Sequence, residues 1–256
     1  CSFGVFLVYY PPILDLMPDP KPESLSTLDQ FARLDTQRRE RTGIPEAIFA
    51  EGKTPDQVSH MLDALTEKTG FALATRVSEM CAEYINDHLS SKFFVIHNRT
   101  GRTVVTRRMN YEPKSTGGKI AILAAGTSDL SVAEEARVTA EVMGCEVFTF
   151  YDVGVAGIHR LVKPVETILQ KDIASAVVVA GMEGALPSVV RGLVPIPVIG
   201  VPSSVGYGYG GKGEAALMSM LQSCSPGLTV VNIDNGFGAG ATAALVANQV
   251  AAAKMK

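Results

Sequence analysis

Residues 119–136, KIAILAAGTSDLSVAEEA, decide the fold. They begin with a short, almost wholly apolar run, pass through a small, hydroxyl-rich turn at 126–129, and continue into a stretch with helical character. A strand without polar alternation is typical of burial on both faces, as in a parallel sheet. The stretch therefore predicts a strand, a tight turn and a helix, which is the repeating unit of an α/β fold.

The same alternation continues to the end of the chain. Four more apolar runs follow: CEVFTF at 145–150, SAVVVA at 175–180, PIPVIGVP at 195–202 and LTVVNI at 228–233. Helical stretches separate these runs, and an alanine-rich one at 238–255 follows the last. Strands that alternate with helices predict a doubly wound parallel sheet in three layers, the flavodoxin-like arrangement. Ligands of such sheets bind beyond the carboxyl ends of the strands.

The chain before this sheet domain, which we place at 114–256, has a different pattern. Residues 1–30 are expected to form a linker or tail, because 11–30 is rich in Pro, Asp and Ser. Residues 31–113 predict a small α+β domain. Its clearest helix lies between Thr54, a plausible N-cap, and Gly70. Its strands are expected at FALATRV (71–77), FFVIHNRT (93–100) and RTVVTRRM (102–109).

The bulk composition excludes several classes of function. Of the 256 residues, 46% are hydrophobic and 19% charged, which suits a globular protein, and the net charge of −3 offers no basic field for nucleic acid. The apolar opening FGVFLVYY is too short to span a membrane. We expect a cytoplasmic protein, or an organellar one, since the chain begins with Cys1 rather than Met. The cysteines have no metal-ligand spacing and are expected to be reduced thiols.

Small and polar residues follow nearly every predicted strand, so a nucleotide-sized site is expected at one edge of the sheet. Backbone N–H groups at a helix N-terminus bind phosphate, which favours the turn at 126–129. The substrate-binding candidates in these loops are Gly126, Thr127, Ser128, Asp129, Gly181, Met182, Pro202, Ser203, Gly206, Tyr207, Asn232, Asp234, Asn235 and Gly236. A basic cluster in the small domain, Arg38, Arg41 and Arg76, is predicted to reach the same loops from its own or a neighbouring subunit and to bind phosphates or carboxylates of the substrate.

Three further residues are candidates for catalysis. His159 opens a predicted helix, and Glu183 lies between two glycines after a strand. Cys224 lies in QSCSPG, a predicted helix-to-strand connection that we count among the same loops. From the residues alone, each of the three also has a purely structural explanation: a packing or capping role for His159, a solvated position at a helix start for Glu183, and a packing role for Cys224.

The quoted loops resemble a known family. AGTSD, AGIHR, AGMEGALPSVVRGL and PVIGVPSS resemble the aminoimidazole-ribonucleotide carboxylase (PurE) fold. The histidine of that enzyme's A-H-L-P segment is missing here, and Glu183 and QSCSPG are additional. In each of these departures the sequence resembles the LarB family, which shares the fold. Members of that family make pyridinium-3,5-biscarboxylic acid mononucleotide, the first intermediate of the nickel-pincer cofactor of lactate racemase. The resemblance covers about residues 35–245.

The LarB resemblance implies a substrate and a mechanism. The substrate would be nicotinic acid adenine dinucleotide, carboxylated by carbon dioxide or bicarbonate and then hydrolysed with release of AMP. Cys224 would add to the pyridinium ring, because a thiolate is both a good nucleophile and a good leaving group. Glu183 would remove the ring proton, and Mg²⁺ held by phosphates and by Asp129 or Asp234 would assist hydrolysis. Analogy of fold implies a homo-oligomer, an octamer in PurE-like proteins.

Two other functions stay open on the sequence alone. A true aminoimidazole-ribonucleotide carboxylase or mutase would keep the sheet and phosphate loop but would need no Cys224. A non-catalytic nucleotide-binding module would bind the dinucleotide without turnover.

Overall fold

The structure is a computed structural model that describes residues 25–28 and 32–255. Most of the tail expected at 1–30 lies outside the described residues, but its end differs from the prediction. Residues Leu25–Leu28 form strand β1, which pairs antiparallel with β2 (Ala32–Asp35). Backbone pairing thus joins residues 25–28, which the sequence assigns to the tail, to the small domain.

The small domain is built on a four-stranded mixed sheet in the order β3-β4-β6-β5. These strands are β3 (Ala47–Phe49), β4 (Phe71–Thr75), β5 (Phe93–Asn98) and β6 (Thr103–Arg108). The helices are α1 (Arg38–Thr42), α2 (Pro55–Thr69) and α3 (Glu79–Leu89). The three strands predicted here are present, and β5 and β6 form the expected antiparallel hairpin.

Helix α2 shows why the sequence folds locally as predicted. The Gln57 N–H donates to Thr54 Oγ1 at 3.2 Å, and the Thr54 N–H donates to Gln57 Oε1 at 3.0 Å, so two amides of the first turn are satisfied reciprocally. Gly70 ends the helix in the left-handed conformation, at φ 93°. Val58 and Leu62 face the domain core and are fully buried. The helix predicted between Thr54 and Gly70 is confirmed.

The C-terminal domain is a five-stranded, wholly parallel sheet in the order β8-β7-β9-β10-β11. The strands are β7 (Lys119–Ala124), β8 (Glu146–Phe150), β9 (Ser175–Ala180), β10 (Val198–Pro202) and β11 (Leu228–Val230). Its helices are α4 (Leu130–Val142), α5 (Val162–Gln170), α6 (Leu186–Leu193), α7 (Glu214–Leu221) and α8 (Gly236–Lys254). Residues of α4 and α8 share one core with the sheet, and residues of α5, α6 and α7 share another on the opposite face. The predicted three-layer α/β fold is confirmed.

The strand order places the ligand site. The chain moves from β7 outwards to β8, then returns past β7 to β9 and continues in the other direction. The loops that follow β7 and β9 therefore leave the sheet towards opposite faces and open a crevice between them.

The two domains share packed surface. Leu73 and Val105, from the small sheet, bury their side chains with Val138 of α4. The other face of the small sheet packs on α2 and α3. Helix α4 is therefore sandwiched between the two sheets and is in contact with both domains.

Helices α4 and α8 approach closely because α8 is built of small residues. A Cβ added at Gly240 would lie 2.4 Å from the Ala136 carbonyl oxygen, and one added at Gly236 would lie 2.4 Å from the Val132 carbonyl oxygen. Such contacts are far inside van der Waals distance, so only glycine fits at either position.

We expect Gly240→Ala to lower the free energy of unfolding by about 1–3 kcal/mol, because the added methyl group must push the two helices apart. The matched control is Gly192→Ala in α6, where an added Cβ meets nothing within 4 Å. That variant should gain about 0.5–1 kcal/mol, since alanine restricts the unfolded chain more than glycine does. Urea unfolding measures both, and equal effects of the two substitutions would contradict the close-approach argument.

Candidate active site

A cavity of about 460 Å³ lies at the crevice between the ends of β7 and β9. Its volume is within the usual range for a small-molecule site. Loops that follow four of the five strands form its wall. The lining residues are Ala125, Gly126, Ser128, Asp129, Gly154, Val155, Ala156, Arg160, Ala180, Gly181, Met182, Glu183, Ala185, Leu186, Val205, Gly206 and Tyr207.

Asp129 is the most constrained side chain of this wall. It is only 5% exposed. Its Oδ2 accepts the Gly126 N–H at 2.9 Å, and the carboxyl group also accepts the Ser203 hydroxyl and the Gly181 N–H. Burial raises the pKa of the Asp129 carboxyl above its ordinary value against these hydrogen bonds, and the negative charge of Asp234 adds to the rise. One carboxyl group thus joins the loops after β7, β9 and β10.

The loop after β9 is shaped by close backbone approach. A Cβ at Gly181 would lie 2.1 Å from the Val205 carbonyl oxygen and 3.3 Å from Asp129 Oδ1. Met182 follows with φ 49°, a left-handed conformation that costs energy for a residue other than glycine. Strained backbone at a cavity wall is a common feature of functional sites.

Arg160 supplies the positive charge of the cavity wall. It lies in the short 3-10 segment Val155–Leu161 after β8, and its Nη1 pairs with Asp152 Oδ2 at 2.8 Å. Sequence reasoning missed Arg160 as a site residue, although it directly follows His159. The structure turns Arg160 towards the cavity and leaves His159 exposed outside the lining, because adjacent residues of a helical segment point in different directions.

The structure brings about half of the predicted loop residues together. Gly126, Ser128, Asp129, Gly181, Met182, Glu183, Gly206 and Tyr207 line the cavity. Ser203 is buried behind it and donates to Asp129. Thr127 and Pro202 are not lining residues; Thr127 is exposed and Pro202 closes strand β10.

The residues after β11 that were predicted to bind substrate make hydrogen bonds and packing contacts within the chain instead. The side-chain oxygen of Asn235 caps α8 by accepting the Gly238 N–H at 2.8 Å, and Asn232 Oδ1 accepts the Ile233 N–H at 2.9 Å. Asp234 Oδ1 accepts the Ser204 N–H at 2.8 Å, and Gly236 allows the close approach of α8 to α4. Of these four residues, all predicted to bind substrate, Asp234 supports the loop after β10, and none lines the cavity.

The three predicted arginines separate into two groups. Arg76 reaches the C-terminal domain, where its guanidinium donates to the Asp234 carbonyl oxygen and lies 3.4 Å from Glu135 Oε1. Arg38 pairs with Glu46 at 3.1 Å, and Arg41 pairs with Asp35, both within the small domain. Within one chain, Arg38 and Arg41 therefore do not make the predicted contact with the strand-end loops.

Cys224 lies between α7 and β11, in the helix-to-strand connection that the sequence predicts. Such a connection lies at the amino ends of the strands, so Cys224 does not belong to the strand-end loops with which it was counted. Its side chain is exposed and outside the cavity lining. The neighbouring Ser223 accepts the Ser188 hydroxyl at 2.7 Å, and the Ser225 hydroxyl donates to the Ser188 carbonyl oxygen at 3.0 Å, which fixes the turn on the outer side of α6.

The other two described cysteines are core residues. Cys81 and Cys145 are buried. Burial raises the pKa of Cys145 to about 11, and its Sγ lies 3.2 Å from Asn248 Oδ1. A thiol with so high a pKa is protonated at neutral pH, which leaves Cys224 as the accessible thiol among the described residues.

Two classes of feature are absent from residues 25–28 and 32–255. They contain no group of three or more His, Cys, Asp or Glu side chains placed to hold a metal ion. None of the helices formed by these residues has the length and apolar character needed to cross a membrane.

Comparison with known proteins assigns both domains. The model of the AIR carboxylase family matches residues 119–256, and the model of the LarB/PurE-like N-terminal domain matches residues 25–108. An uncharacterized protein of Methanocaldococcus jannaschii is 46% identical over 224 residues, which cover 86% of this chain and 85% of that protein.

The parallel sheet, the cavity between the ends of β7 and β9, and the AIR carboxylase match define a carboxylase-type enzyme with a PurE-like domain. The matched N-terminal domain narrows the class further: the chain belongs to the LarB family.

We expect Asp129 to make stability depend on pH. Because its pKa is raised in the folded protein, the folded state binds more protons than the unfolded state, and stability falls as pH rises from the ordinary aspartate value of about 3.9 through the raised value. The free energy of unfolding of the wild type minus that of Asp129→Asn should decrease over this window and be flat above it. Urea unfolding at a series of pH values tests this, and a difference that increases with pH would contradict it.

Proposed function

We propose that the protein carboxylates the pyridinium ring of nicotinic acid adenine dinucleotide and hydrolyses its phosphoanhydride, giving pyridinium-3,5-biscarboxylic acid mononucleotide and AMP. The observation that carries this proposal is the cavity at the strand ends, in a chain of the LarB family, where Glu183 and Arg160 face the same space. A carboxylate and a guanidinium suit a reaction that removes a ring proton from an anionic substrate.

Phosphate binding is assigned to the turn between β7 and α4. The chain turns there through a short 3-10 segment, Thr127–Asp129, that runs directly into α4. Amides at the start of a helix point outwards and carry partial positive charge, so they bind a phosphate. Ser128 lines the cavity at this turn and can donate its hydroxyl. Arg160, across the cavity, would neutralise further negative charge of the dinucleotide.

The ring chemistry requires a reversible nucleophile. An electron-poor pyridinium does not attack carbon dioxide. Addition of the Cys224 thiolate forms a C–S bond and converts the ring into a dihydropyridine, an enamine whose β-carbon carries electron density. That carbon forms the new C–C bond to carbon dioxide. Removal of its proton returns an electron pair to the ring, the C–S bond breaks, and the thiolate leaves. The sum is replacement of a ring hydrogen by a carboxylate with release of one proton.

Glu183 is the proposed proton acceptor. It lies in the cavity wall directly after the left-handed Met182 and is exposed to the space that the ring would occupy. His159, the other predicted catalytic residue, is exposed beside that wall and could pass the proton to solvent.

The nucleophile is proposed to come from a neighbouring copy of the chain. Cys224 is exposed outside the cavity of its own chain, and a turn anchored to Ser188 holds it in place. Met218 and Leu221, in the last turn of the helix before it, are 67% and 68% exposed and give the surface beside the thiol an apolar character. A homo-oligomer that covers this surface would bring the thiol of one copy to the ring held by another.

Mg²⁺ fits this site only if the protein and the substrate share its coordination. The carboxyl oxygens of Asp129 and one of those of Asp234 already accept protein hydrogen bonds. The ion would therefore take most of its ligands from the substrate's phosphates, with Asp129 or Asp234 as one protein ligand, as is usual for Mg²⁺ at nucleotides. When bound, it would supply positive charge to the phosphoanhydride during attack by water.

The alternative of aminoimidazole-ribonucleotide carboxylation is weakened by the cavity wall. Ala185 lies there, immediately before Leu186 and Pro187, where the resemblance puts the histidine of the A-H-L-P segment. A non-catalytic nucleotide-binding role would leave the exposed Cys224 and its serine anchors without a use. Incubation with the dinucleotide, bicarbonate and Mg²⁺ separates the proposed function from both alternatives, because it alone yields AMP and a dicarboxylate.

Phosphate binding at the turn is tested by Ser128→Tyr. The bulky ring would block the amides, and dinucleotide affinity should fall by about tenfold or more, the usual effect of losing a hydrogen bond to a charged group. The control is Ser131→Tyr, at an exposed position of the same helix outside the lining. Isothermal calorimetry measures both affinities, and an unchanged affinity in a folded Ser128→Tyr protein would remove the assignment.

The role of the thiol is tested by Cys224→Ala and Cys224→Ser. Both should fold and bind the dinucleotide but lose carboxylation by at least about 10³-fold, since no other described group of the site can add and leave reversibly. A Cys224→Ala enzyme that forms the dicarboxylate at the normal rate would eliminate the covalent mechanism.

The arrangement between copies is tested by co-expressing Cys224→Ala with Glu183→Gln chains. If the thiol acts on a neighbour's site, random assembly leaves roughly a quarter of the sites intact, with one wild-type residue from each chain. Activity should then return to about that fraction of wild type in the mixed oligomer. Mixed oligomers as inactive as the separate variants would show that thiol and carboxylate act within one chain.

A further inference from the structure

Arg76 occupies a strained position at the junction of the two domains. It is the first residue after β4 and has a left-handed backbone, φ 56°. The hairpin between β5 and β6 fixes this conformation: the Arg102 guanidinium donates to the Arg76 carbonyl oxygen at 3.3 Å, and the Val77 N–H donates to the Arg102 carbonyl oxygen at 2.8 Å. A left-handed arginine costs energy, so the surrounding contacts must hold it there.

The side chain of Arg76 makes two contacts in the other domain. One Nη donates to the Asp234 carbonyl oxygen, and Nε lies 3.4 Å from Glu135 Oε1. Glu135 is only 4% exposed, and its other oxygen accepts the Phe237 N–H at the start of α8 at 3.2 Å. The fixed fork of a guanidinium thus links a buried carboxylate to a backbone carbonyl group.

Asp234 connects Arg76 to a loop that lines the cavity. It also has a left-handed backbone, φ 55°, and its N–H donates to the Pro202 carbonyl oxygen at 2.8 Å. Its Oδ1 accepts the Ser204 N–H at 2.8 Å. Ser204 starts the loop whose next three residues, 205–207, line the cavity. Two left-handed residues that are not glycine therefore bond to each other directly behind this loop.

We propose that Arg76 is a positioning residue, through which the small domain sets the conformation of the cavity loop at 204–207. Its effect on catalysis rests on the proposed function, but its effect on the loop does not. Arg76 does not line the cavity, and within the chain it bonds to Glu135 and Asp234, so its role differs from the phosphate contact expected of it in the sequence.

The inference predicts a change in amide hydrogen exchange that needs no substrate. In Arg76→Ala the amides of Ser204 and Val205, which donate to Asp234 Oδ1 and Ser203 Oγ, should exchange about tenfold faster or more, because the carbonyl contact that holds Asp234 is lost. Amides of β9 should keep their wild-type rates. The control is Arg99→Ala, which removes an exposed ion pair with Glu79 in the same domain and should leave the loop unchanged. Equal loop exchange in Arg76→Ala and wild type would overturn the proposal.

A double variant separates positioning from simple charge neutralisation. Arg76→Ala leaves Glu135 buried without its cation, which itself threatens folding. Glu135→Gln removes that charge, so Arg76→Ala/Glu135→Gln should fold. If Arg76 positions Asp234, the loop still exchanges faster in the double variant than in Glu135→Gln alone. If the two rates are the same, Arg76 serves only to neutralise Glu135 and the proposal fails.

Kinetics then test the consequence for the enzyme. In the double variant kcat should fall by about 10²-fold relative to Glu135→Gln, because a displaced cavity wall misaligns the substrate. Added guanidinium ion should recover part of kcat by binding between Asp234 and its surroundings, whereas tetramethylammonium should not. An unchanged kcat would overturn the catalytic consequence. A wild type without dinucleotide turnover would instead refute the proposed function, and the exchange result would still decide the role of Arg76.

Discussion

The buried carboxyl group of Asp129 is the interaction on which the site depends. A parallel sheet ends in separate loops, and each loop is free to leave the sheet in its own direction. Asp129 ties three of them together by accepting hydrogen bonds from Gly126, Gly181 and Ser203. The cost of burying a carboxyl group is reflected in its raised pKa. Without such a link the strand-end loops would be adjacent but would not share one cavity.

A second buried carboxylate, Glu135, organises the contact between the domains. It lies on α4, six residues or about one and two-thirds helical turns beyond Asp129, where it contacts the start of α8 and the side chain of Arg76. Burial raises the pKa of Glu135, while the charge of Arg76 and the amides of α8 oppose that rise. The small domain therefore contributes more than a cover for α4: it provides the counter-charge for a group at the centre of the catalytic domain.

The sequence predicted the fold because its signals are local and repeated. Apolar runs without alternation specify strands buried on both faces, and Thr54 with Gly70 marks both ends of one helix. The site was predicted in part, since residues after β7 and β9 must meet at the switch point. Arg160 was missed because a helical turn decides which of two adjacent residues faces inwards. Cys224 was counted with the strand-end loops although it follows a predicted helix and precedes a predicted strand, a position that lies at the opposite edge of a parallel sheet.

The wall of the cavity has a consequence for how this enzyme can change over evolutionary time. Eleven of its seventeen lining residues are Gly, Ala, Val or Leu, so most of the surface is main chain and small aliphatic groups. Recognition by main-chain atoms is insensitive to substitution, while Gly181 admits no side chain at all. Variation in substrate preference is thereby confined to six side chains: Ser128, Asp129, Arg160, Met182, Glu183 and Tyr207. A library restricted to the exposed members of that set would sample nearly all of the chemical diversity that the scaffold can present to a ligand.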